Sequence, residues 1–419
     1  MSERVTFIHS GDIHLGAPFR GLRALSSSWA DRLATAIPDA YDCVIQACID
    51  ETADFLLLAG DIFDTDKPSY AHYRRFLAGM KRLEARGVPV YIIAGNHDPF
   101  SNWREVECDL PSNVCLLPSD KPSFVLFEKG GRPSAIIAAR GFSTLPKGED
   151  ISAGMTRAAA QEACGHDAPF CVGMLHTGLW MDPYKAPTSE KALLAADMDY
   201  WALGHIHKRF LIPENDPKIA FCGCAQGRDI KETGARGCLK VTLEKGLPNR
   251  VSFIATSQVD WEKLDVDVSS CVGTDAVVSA CVRAMFDRNA EVPCEEMVAR
   301  IELVGSTRLH AELSDPGVLE TLRRELNESY PSFYCDALLC STTPVRDKEK
   351  LAASSTFEGT MLRIAREDAS DPQGQLSYLQ EEFSRRGLSV PRSVVQRLAA
   401  LSERAEDRLL TMVDGEERR

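Results

Sequence analysis

Short apolar runs alternate with helical patterns over roughly the first 260 residues of the chain. Three of the runs predict β-strands, at residues 5–9, 55–59 and 88–94. The segments 39–50 and 69–86 between them carry apolar residues at helical spacing, which predicts a helix in each. A succession of strand, helix, strand, helix and strand is typical of a parallel sheet.

Further apolar runs predict later strands of the same core, at residues 134–139, 169–175, 200–203, 219–222 and 238–243. Together these patterns predict an α/β fold whose two-layered β-sheet core is flanked by helices. The organisation changes near residue 260. Residues 1–260 are therefore expected to form one domain, which carries the parallel strands.

Residues 261–343 contain two helical patterns and two apolar runs, which predicts a small α+β domain. Residues 343–355 are polar and predict a linker. Residues 344–419 as a whole are then expected to be a linker and a helical region. The apolar positions of this region fit two interpretations equally: a helix pair that packs on its own protein, or a surface completed by a partner helix.

Charge and cysteine content narrow the class of protein. The chain of 419 residues has 48 Lys and Arg against 61 Asp and Glu, a net charge of −13, which disfavours a broad non-specific grip on DNA by this chain alone. Its 14 cysteines include no C-x-x-C pair, so we expect buried thiols in a reducing compartment. We find neither a membrane-spanning apolar stretch nor a signal-peptide pattern, and expect a cytoplasmic protein without membrane contact.

Polar side chains with metal-binding chemistry follow five of the apolar runs. Because the carboxyl ends of parallel strands meet at one edge of a sheet, we expect these residues to lie together. They are Asp12 and His14, Asp61, Asn96 with His97 and Asp98, His176, and His205 with His207. Five of the nine histidines of the chain fall in these short segments.

The residue types suit a site for two divalent cations. Carboxylates, imidazoles and an amide oxygen are ligands for Mn²⁺, Fe²⁺ or Zn²⁺, and one carboxylate can bridge two cations. Taken singly, Asp61 could be a turn residue and Asn96 a left-handed turn residue. The remaining histidines, His9, His72, His166 and His310, are assigned no role.

These motifs resemble the calcineurin-like metallophosphoesterase superfamily. The residues that carry the resemblance are Asp12-x-His14, Gly60-Asp61-x-x-Asp64, Gly95-Asn96-His97-Asp98, His176 and Gly204-His205-x-His207. Residues 12–22, 60–64 and 226–234 further resemble SbcD-type DNA-repair exonucleases, especially their YhaO-like subgroup. One departure is Asp229, where that subgroup usually has histidine.

The resemblance implies a role for each matching residue. Asp12, His14 and His207 would bind one metal ion, Asn96, His176 and His205 the other, and Asp61 would bridge the two. His97 would act on the scissile phosphate as proton donor or charge stabiliser. Asp98 is expected either to orient an imidazole or to stabilise a turn, and Arg228 either to face the phosphate or to form an internal salt bridge.

The family further implies Mn²⁺ as the metal, with Fe²⁺ and Zn²⁺ as alternatives. It implies DNA phosphodiester hydrolysis, as an exonuclease or endonuclease, in a complex with an SbcC-like coiled-coil ATPase that the C-terminal helices contact. Pairing of two copies through the early helices is expected by the same analogy. The alternatives are a phosphatase or small-nucleotide phosphodiesterase of the same superfamily, and a non-catalytic scaffold of an ATPase complex.

Overall fold

The computed structural model describes residues 3–19, 27–99, 110–143, 149–386, 388–391, 394–395, 406 and 410. Its strands are β1 (Arg4–Ser10), β2 (Phe55–Leu58), β3 (Val90–Ile93), β4 (Val114–Leu117), β5 (Ser123–Lys129), β6 (Arg132–Arg140), β7 (Phe170–His176), β8 (Tyr200–Gly204), β9 (Phe210–Ile212), β10 (Ile219–Phe221), β11 (Gly237–Glu244), β12 (Arg250–Ala255), β13 (Asp260–Asp267), β14 (Met297–Thr307) and β15 (Phe333–Pro344). Its helices are α1 (Ser27–Asp50), α2 (Tyr70–Glu84), α3 (Arg157–Cys164), α4 (Glu190–Ala195), α5 (Thr274–Asn289), α6 (His310–Leu313), α7 (Pro316–Ser329), α8 (Lys348–Ala352), α9 (Phe357–Ala369) and α10 (Pro372–Arg385).

The chain divides into two compact units. The first consists of residues 1–263, 285–300 and 330–336, and the second of residues 264–284, 301–329 and 337–419. The first unit is therefore built from three separate stretches of chain.

Two sheets form the core of the first unit. Within the described residues, one has six strands in the order β12-β11-β1-β2-β3-β4, and the other has six in the order β5-β6-β7-β8-β10-β9. Strands β1, β2 and β3 are parallel neighbours, as are β6, β7 and β8. The predicted parallel arrangement is confirmed, and with it the expected α/β class.

The inner faces of the two sheets pack on each other. Phe7 of β1 stacks on Phe55 of β2, with ring centroids 4.7 Å apart, and contacts the edge of Tyr200 of β8 at 5.6 Å. Successive side chains of a strand point to opposite faces, so Leu56 and Leu58 of β2 face α1 and α2 instead. Burial on both faces explains why β2 has a continuous apolar sequence.

Helices cover the outer faces, as predicted. Helices α1 and α2 pack on the first sheet, where Tyr41 donates a hydrogen bond to the carbonyl of Phe76 at 2.7 Å. On the second sheet, the indole of Trp201 donates to the carbonyl of Leu193 in α4 at 2.9 Å. The core is thus a two-layered sheet enclosed by helices.

Some boundaries differ from the predicted ones. Helix α1 begins at Ser27, not at residue 39, and Pro38 lies inside it. The segment 343–355, predicted as a linker, contains helix α8, which is capped by the Asp347 side chain. Strands β4, β5, β9 and β12, where many positions are half-exposed, are not among the predicted strands.

After residue 260, strands β13, β14 and β15 form a third sheet, in which β14 is central. Helices α5 and α7 occupy the predicted helical segments, and α9 and α10 begin the helical region. Most of that region after residue 386 lies outside the described residues. The domain boundaries at 260 and 343 stay predictions.

The cysteines of the described part of the chain are all free, and eight of them are buried. This agrees with the expected small buried side chains. Within the described residues, no helix is both long and apolar enough to cross a membrane.

Candidate metal centre

The predicted site residues meet at the carboxyl ends of the parallel strands. Asp12 and His14 follow β1, Asp61 follows β2, and Asn96 and His97 follow β3 of the first sheet. His176 ends β7, and His205 and His207 follow β8 of the second sheet. The centre therefore combines side chains from both layers, at the edge where such sheets bind ligands.

The first group contains Asp12, His14 and His207, whose ligand atoms all lie within 4.8 Å of one another. The Nε2 atoms of the two histidines are 3.1 Å apart, and Nε2 of His207 lies 3.7 Å from Oδ1 of Asp12. This is the set that the family resemblance implies for one metal ion.

The second group surrounds His176 and Asn96. Nε2 of His176 lies 3.2 Å from Oδ1 of Asn96, and Nδ1 of His205 lies 2.9 Å from that same oxygen. Asp61 lies between the two groups, because its Oδ2 is 3.5 Å from Nε2 of His176 and 3.7 Å from Nε2 of His14. The structure thus brings all seven predicted ligands together.

Each imidazole of the centre has a hydrogen-bond acceptor beside its outer nitrogen, which is the ring nitrogen that faces away from the other ligand candidates. His207 donates from Nδ1 to Glu232 at 2.5 Å, and His176 donates from Nδ1 to the carbonyl of Ala59 at 2.8 Å. Nδ1 of His14 lies 3.1 Å from Asp64, and Nε2 of His205 lies 3.2 Å from Asp182. In a neutral ring whose proton is on the outer nitrogen, the inner nitrogen presents its lone pair to the centre.

This arrangement fits bound cations. The Nε2 atoms of His14 and His207 face each other at 3.1 Å, beside the carboxylates of Asp12 and Asp61. When both rings are neutral and protonated on Nδ1, both Nε2 atoms are acceptors. Two acceptors this close repel each other unless a positive charge lies between them. The donor set of nitrogen and oxygen atoms suits Mn²⁺, Fe²⁺ or Zn²⁺.

Cys224 is the thiol nearest to this chemistry, in a group with His207 and Glu232. Burial raises the pKa of the Cys224 thiol, and the nearby Glu232 carboxylate adds to the effect. The thiol is therefore neutral, and a soft thiolate site is not favoured.

Electrostatics also mark the centre as a place for positive charge. Burial disfavours the imidazolium of His176, but the Asp61 carboxylate outweighs it and raises the pKa of His176 to about 9. Burial likewise opposes ionisation of Asp61, yet His176 and His14 hold the pKa of Asp61 below its usual range. Asp61 is therefore an ionised, buried ligand candidate.

The backbone at the strand ends adopts conformations that side-chain-bearing residues rarely take. The φ angles of Asp12, His14, Asp61 and His205 are 48°, 53°, 52° and 97°. Non-glycine residues at positive φ are uncommon and tend to occur at functional sites. Hydrogen bonds from the amides of Asp12 and His14 to the carbonyls of Gly60 and Asp61, both 3.0 Å long, hold the turns in place.

Close packing explains the glycine before Asn96. A Cβ atom on Gly95 would lie 2.0 Å from Oδ1 of Asp61. A side chain there would displace the carboxylate that lies between the two groups. The Gly-Asn-His-Asp motif thus has a steric requirement in addition to its ligands.

His97 lies at the rim of the centre, with its side chain 42% exposed. Its backbone N–H donates to Oδ1 of Asp61 at 2.8 Å, and its Nδ1 donates to the carbonyl of Asp64 at 3.0 Å. The ring is therefore held in one orientation, and its Nε2 is the nitrogen available to a substrate oxygen.

The structure decides between the alternatives for Asp98 and Arg228. The buried carboxylate of Asp98 accepts hydrogen bonds of 2.8–3.2 Å from backbone N–H groups in the loops after β2 and β3. The donors are Asp61, Ile62, Phe63 and Gly95. This supports the turn-stabilising role. The guanidinium of Arg228 lies 3.1 Å from Asp64 and 3.6 Å from Glu232, which supports the internal salt bridge.

Three carboxylates of the centre had no role in the sequence-based assignment. Asp64 and Glu232 belong to motifs that the sequence displays, whereas Asp182 lies in the loop after β7 and has no motif of its own. Asp64 lies beside the outer nitrogen of His14, and Glu232 beside that of His207. Asp182 lies beside the outer nitrogen of His205.

Comparisons with known proteins agree with this geometry. Residues 5–209 match the family "Calcineurin-like phosphoesterase", and residues 261–340 match "Metallophosphoesterase YhaO, middle domain". The chain is 37% identical over 278 residues to "Uncharacterized metallophosphoesterase YhaO" of Bacillus subtilis, covering 65% of each protein. It is 26% identical over 222 residues to "DNA double-strand break repair protein Mre11" of Methanocaldococcus jannaschii, covering 52% of this chain and 56% of that protein.

The matched regions thus span less than two thirds of the length of either relative. Among solved structures, a dimetal phosphatase from Danio rerio matches 60% of this chain and 99% of its own, at 11% identity and a TM-score of 0.36. The family match spans the strand ends that carry all seven ligand candidates. Over residues 5–209 the chain is therefore similar to the calcineurin-like phosphoesterase family.

Proposed function

We propose that this chain is a metal-dependent phosphodiesterase that hydrolyses DNA, as the nuclease component of a complex with an SbcC-like coiled-coil ATPase. The observation that carries the chemistry is that the Nε2 atoms of His14 and His207 face each other at 3.1 Å beside Asp12 and Asp61. DNA as the substrate rests on the similarity to the archaeal Mre11 protein. The net charge of −13 favours a partner that supplies positive DNA-binding surface.

The residues of the centre would hold two divalent cations in the division that the family resemblance implies. Asp12, His14 and His207 would hold one and Asn96, His176 and His205 the other, with Asp61 shared. We propose Mn²⁺ as the metal. When bound, such cations activate a water for attack on phosphorus and neutralise charge on the phosphoryl oxygens.

The other residues of the chain have defined tasks in this reaction. Asp64 and Glu232 fix the imidazoles of His14 and His207, so that their inner nitrogens stay directed at the centre. Arg228 balances the charge of these two carboxylates. In its imidazolium form, His97 is held through Nδ1 and can deliver a proton from Nε2 to the leaving oxygen.

The test uses the purified full-length protein with Mn²⁺, and labelled duplex DNA, single-stranded DNA and bis-p-nitrophenyl phosphate as substrates. Asp61→Asn serves as the inactive control, because it removes the shared carboxylate charge. DNA cleavage that Asp61→Asn loses would support the proposal. Cleavage of the small diester alone would contradict DNA cleavage by the isolated chain and favour the small-nucleotide alternative. The assay would then be repeated with a coiled-coil ATPase of the SbcC type.

A further inference from the structure

The loop between β7 and α4 presents two aromatic side chains beside the metal centre. Trp180 is 51% exposed and Tyr184 is 92% exposed. Within the part of the chain that the structure describes, neither ring packs on another aromatic ring. Exposing a large aromatic surface costs free energy, so a pair of such rings on one loop indicates a binding surface.

Internal hydrogen bonds hold this loop in one conformation. The hydroxyl of Thr177 donates to the carbonyl of Ala186 at 2.6 Å, and the amide of Gly178 donates to the carbonyl of Lys185 at 3.0 Å. Leu179, which lies just before Trp180, is buried at a φ of 48°. The two rings therefore project from a fixed base, which lowers the entropy cost of binding.

The loop also contacts the centre directly. Oδ2 of Asp182 lies 3.2 Å from Nε2 of His205, one of the ligand candidates. Trp180 and Tyr184 are each two residues from Asp182, so their Cα atoms lie within about 8 Å of its Cα. Both residues thus belong to the stretch of loop that contacts His205.

Among ligands with a scissile phosphate, those that carry nucleobases fit this surface best. A base has an apolar π-face that stacks on Trp or Tyr whatever its identity. A chain with a net charge of −13 gains little from non-specific attraction to phosphates. The exposed Lys185 supplies a cation next to Tyr184.

We propose that Trp180 and Tyr184 stack on unpaired bases next to the scissile phosphate, so that the protein selects single-stranded or unpaired nucleic acid. This inference rests on the proposed nuclease function and names its substrate class. Duplex bases are already stacked on each other and have no face to offer, so duplex DNA is cleaved only where an end frays.

The experiment compares the wild type with Trp180→Ala, Tyr184→Ala and the double variant on two single strands in Mn²⁺. One strand is a short oligothymidylate, and the other has the same length and abasic sites throughout. The wild type should prefer the strand with bases, and each substitution should lower this preference roughly tenfold. Trp180→Phe should restore most of it. Tyr378→Ala removes a tyrosine that is 65% exposed in α10 and serves as the matched control.

A second measurement does not depend on catalysis. The fluorescence of Trp180 is obtained as the difference between the wild type and Trp180→Phe, both measured in EDTA. Oligothymidylate should quench this fluorescence, whereas the abasic strand should leave it unchanged. Equal preference and no quenching would overturn the stacking proposal and assign the two rings to a protein partner. If the wild type cleaves neither strand, the nuclease proposal fails, and the quenching still decides whether the rings bind bases.

Discussion

Nδ1 of His207 donates a hydrogen bond of 2.5 Å to Oε1 of Glu232, a residue 25 positions further along the chain. The same carboxylate accepts the backbone N–H of Arg228 through Oε2 at 2.7 Å. His207 is thereby held with Nε2 toward Asp12 and His14.

Glu232→Gln should weaken Mn²⁺ binding roughly 10- to 100-fold, because the amide holds the imidazole without raising its basicity. Equilibrium dialysis against Mn²⁺ measures the effect, and circular dichroism verifies the fold. Glu291→Gln, which alters a glutamate that is 67% exposed and paired with Arg288, is the matched control. Equal Mn²⁺ affinities of the two variants would contradict this role of Glu232.

His97→Ala should lower kcat on a phosphodiester by roughly 10²- to 10⁴-fold, because it removes the group that can protonate the leaving oxygen. Mn²⁺ stoichiometry should stay at the wild-type value, since His97 is not among the seven residues assigned to the two cations. His166→Ala, at an exposed histidine after α3, should have wild-type kcat. A loss of Mn²⁺ in His97→Ala would show instead that this residue supports the metal site.

Gly95→Ala should destabilise the fold and distort the centre together. The added Cβ would lie 2.0 Å from Oδ1 of Asp61, so either the loop or the carboxylate has to move. We expect the free energy of unfolding to fall by about 1–3 kcal/mol in urea titrations, with weaker Mn²⁺ binding. Gly273→Ala, where the new Cβ meets no atom within 4 Å outside its chain neighbours, should leave Mn²⁺ binding unchanged.

His9 should make stability depend on pH. Burial lowers its pKa from 6.5 to about 3, although a hydrogen bond with the Leu203 backbone acts the other way. As the pH falls from about 6.5 toward 3, the unfolded chain takes up a proton that the folded chain refuses. The contribution of His9 to the free energy of unfolding is thus fully present above about pH 6.5. Below that pH it decreases by up to about 1.4 kcal/mol per pH unit.

His9→Gln should remove this contribution and flatten the dependence. Urea unfolding in EDTA at several pH values between 7 and 4 measures it, with exposed His166→Ala as the control. If His9→Gln and the wild type lose stability with the same slope, His9 titrates normally in the folded protein.

The sequence displays the centre well because its ligands follow fully buried strands. The runs that end before Asp61 and His176 are continuous and apolar, since both faces of β2 and β7 are covered. A buried parallel strand and the polar residue after it form a local signal. Helix capping by Ser69 at the start of α2 is another local signal, and the structure contains it.

Longer-range features have no such signal. Glu232 reaches His207 through the path of a loop, and Asp182 reaches His205 from a segment without a motif. Helix α1 continues through Pro38, because burial of Ala36 and Ile37 offsets the proline. The half-exposed strand β12 pairs with β11, and such edge strands need a neighbour to be recognised.

The discontinuity of the first unit has a consequence for how this region can be inherited. Val298 of β14 and Tyr334 of β15 are buried against Trp29 of α1 and Trp261 of β13. A recombination event that exchanged only the segment before residue 264 would leave these two tryptophans without their packing partners. The strand ends that carry the metal centre and the later strands β14 and β15 are therefore expected to have passed between genes as one block.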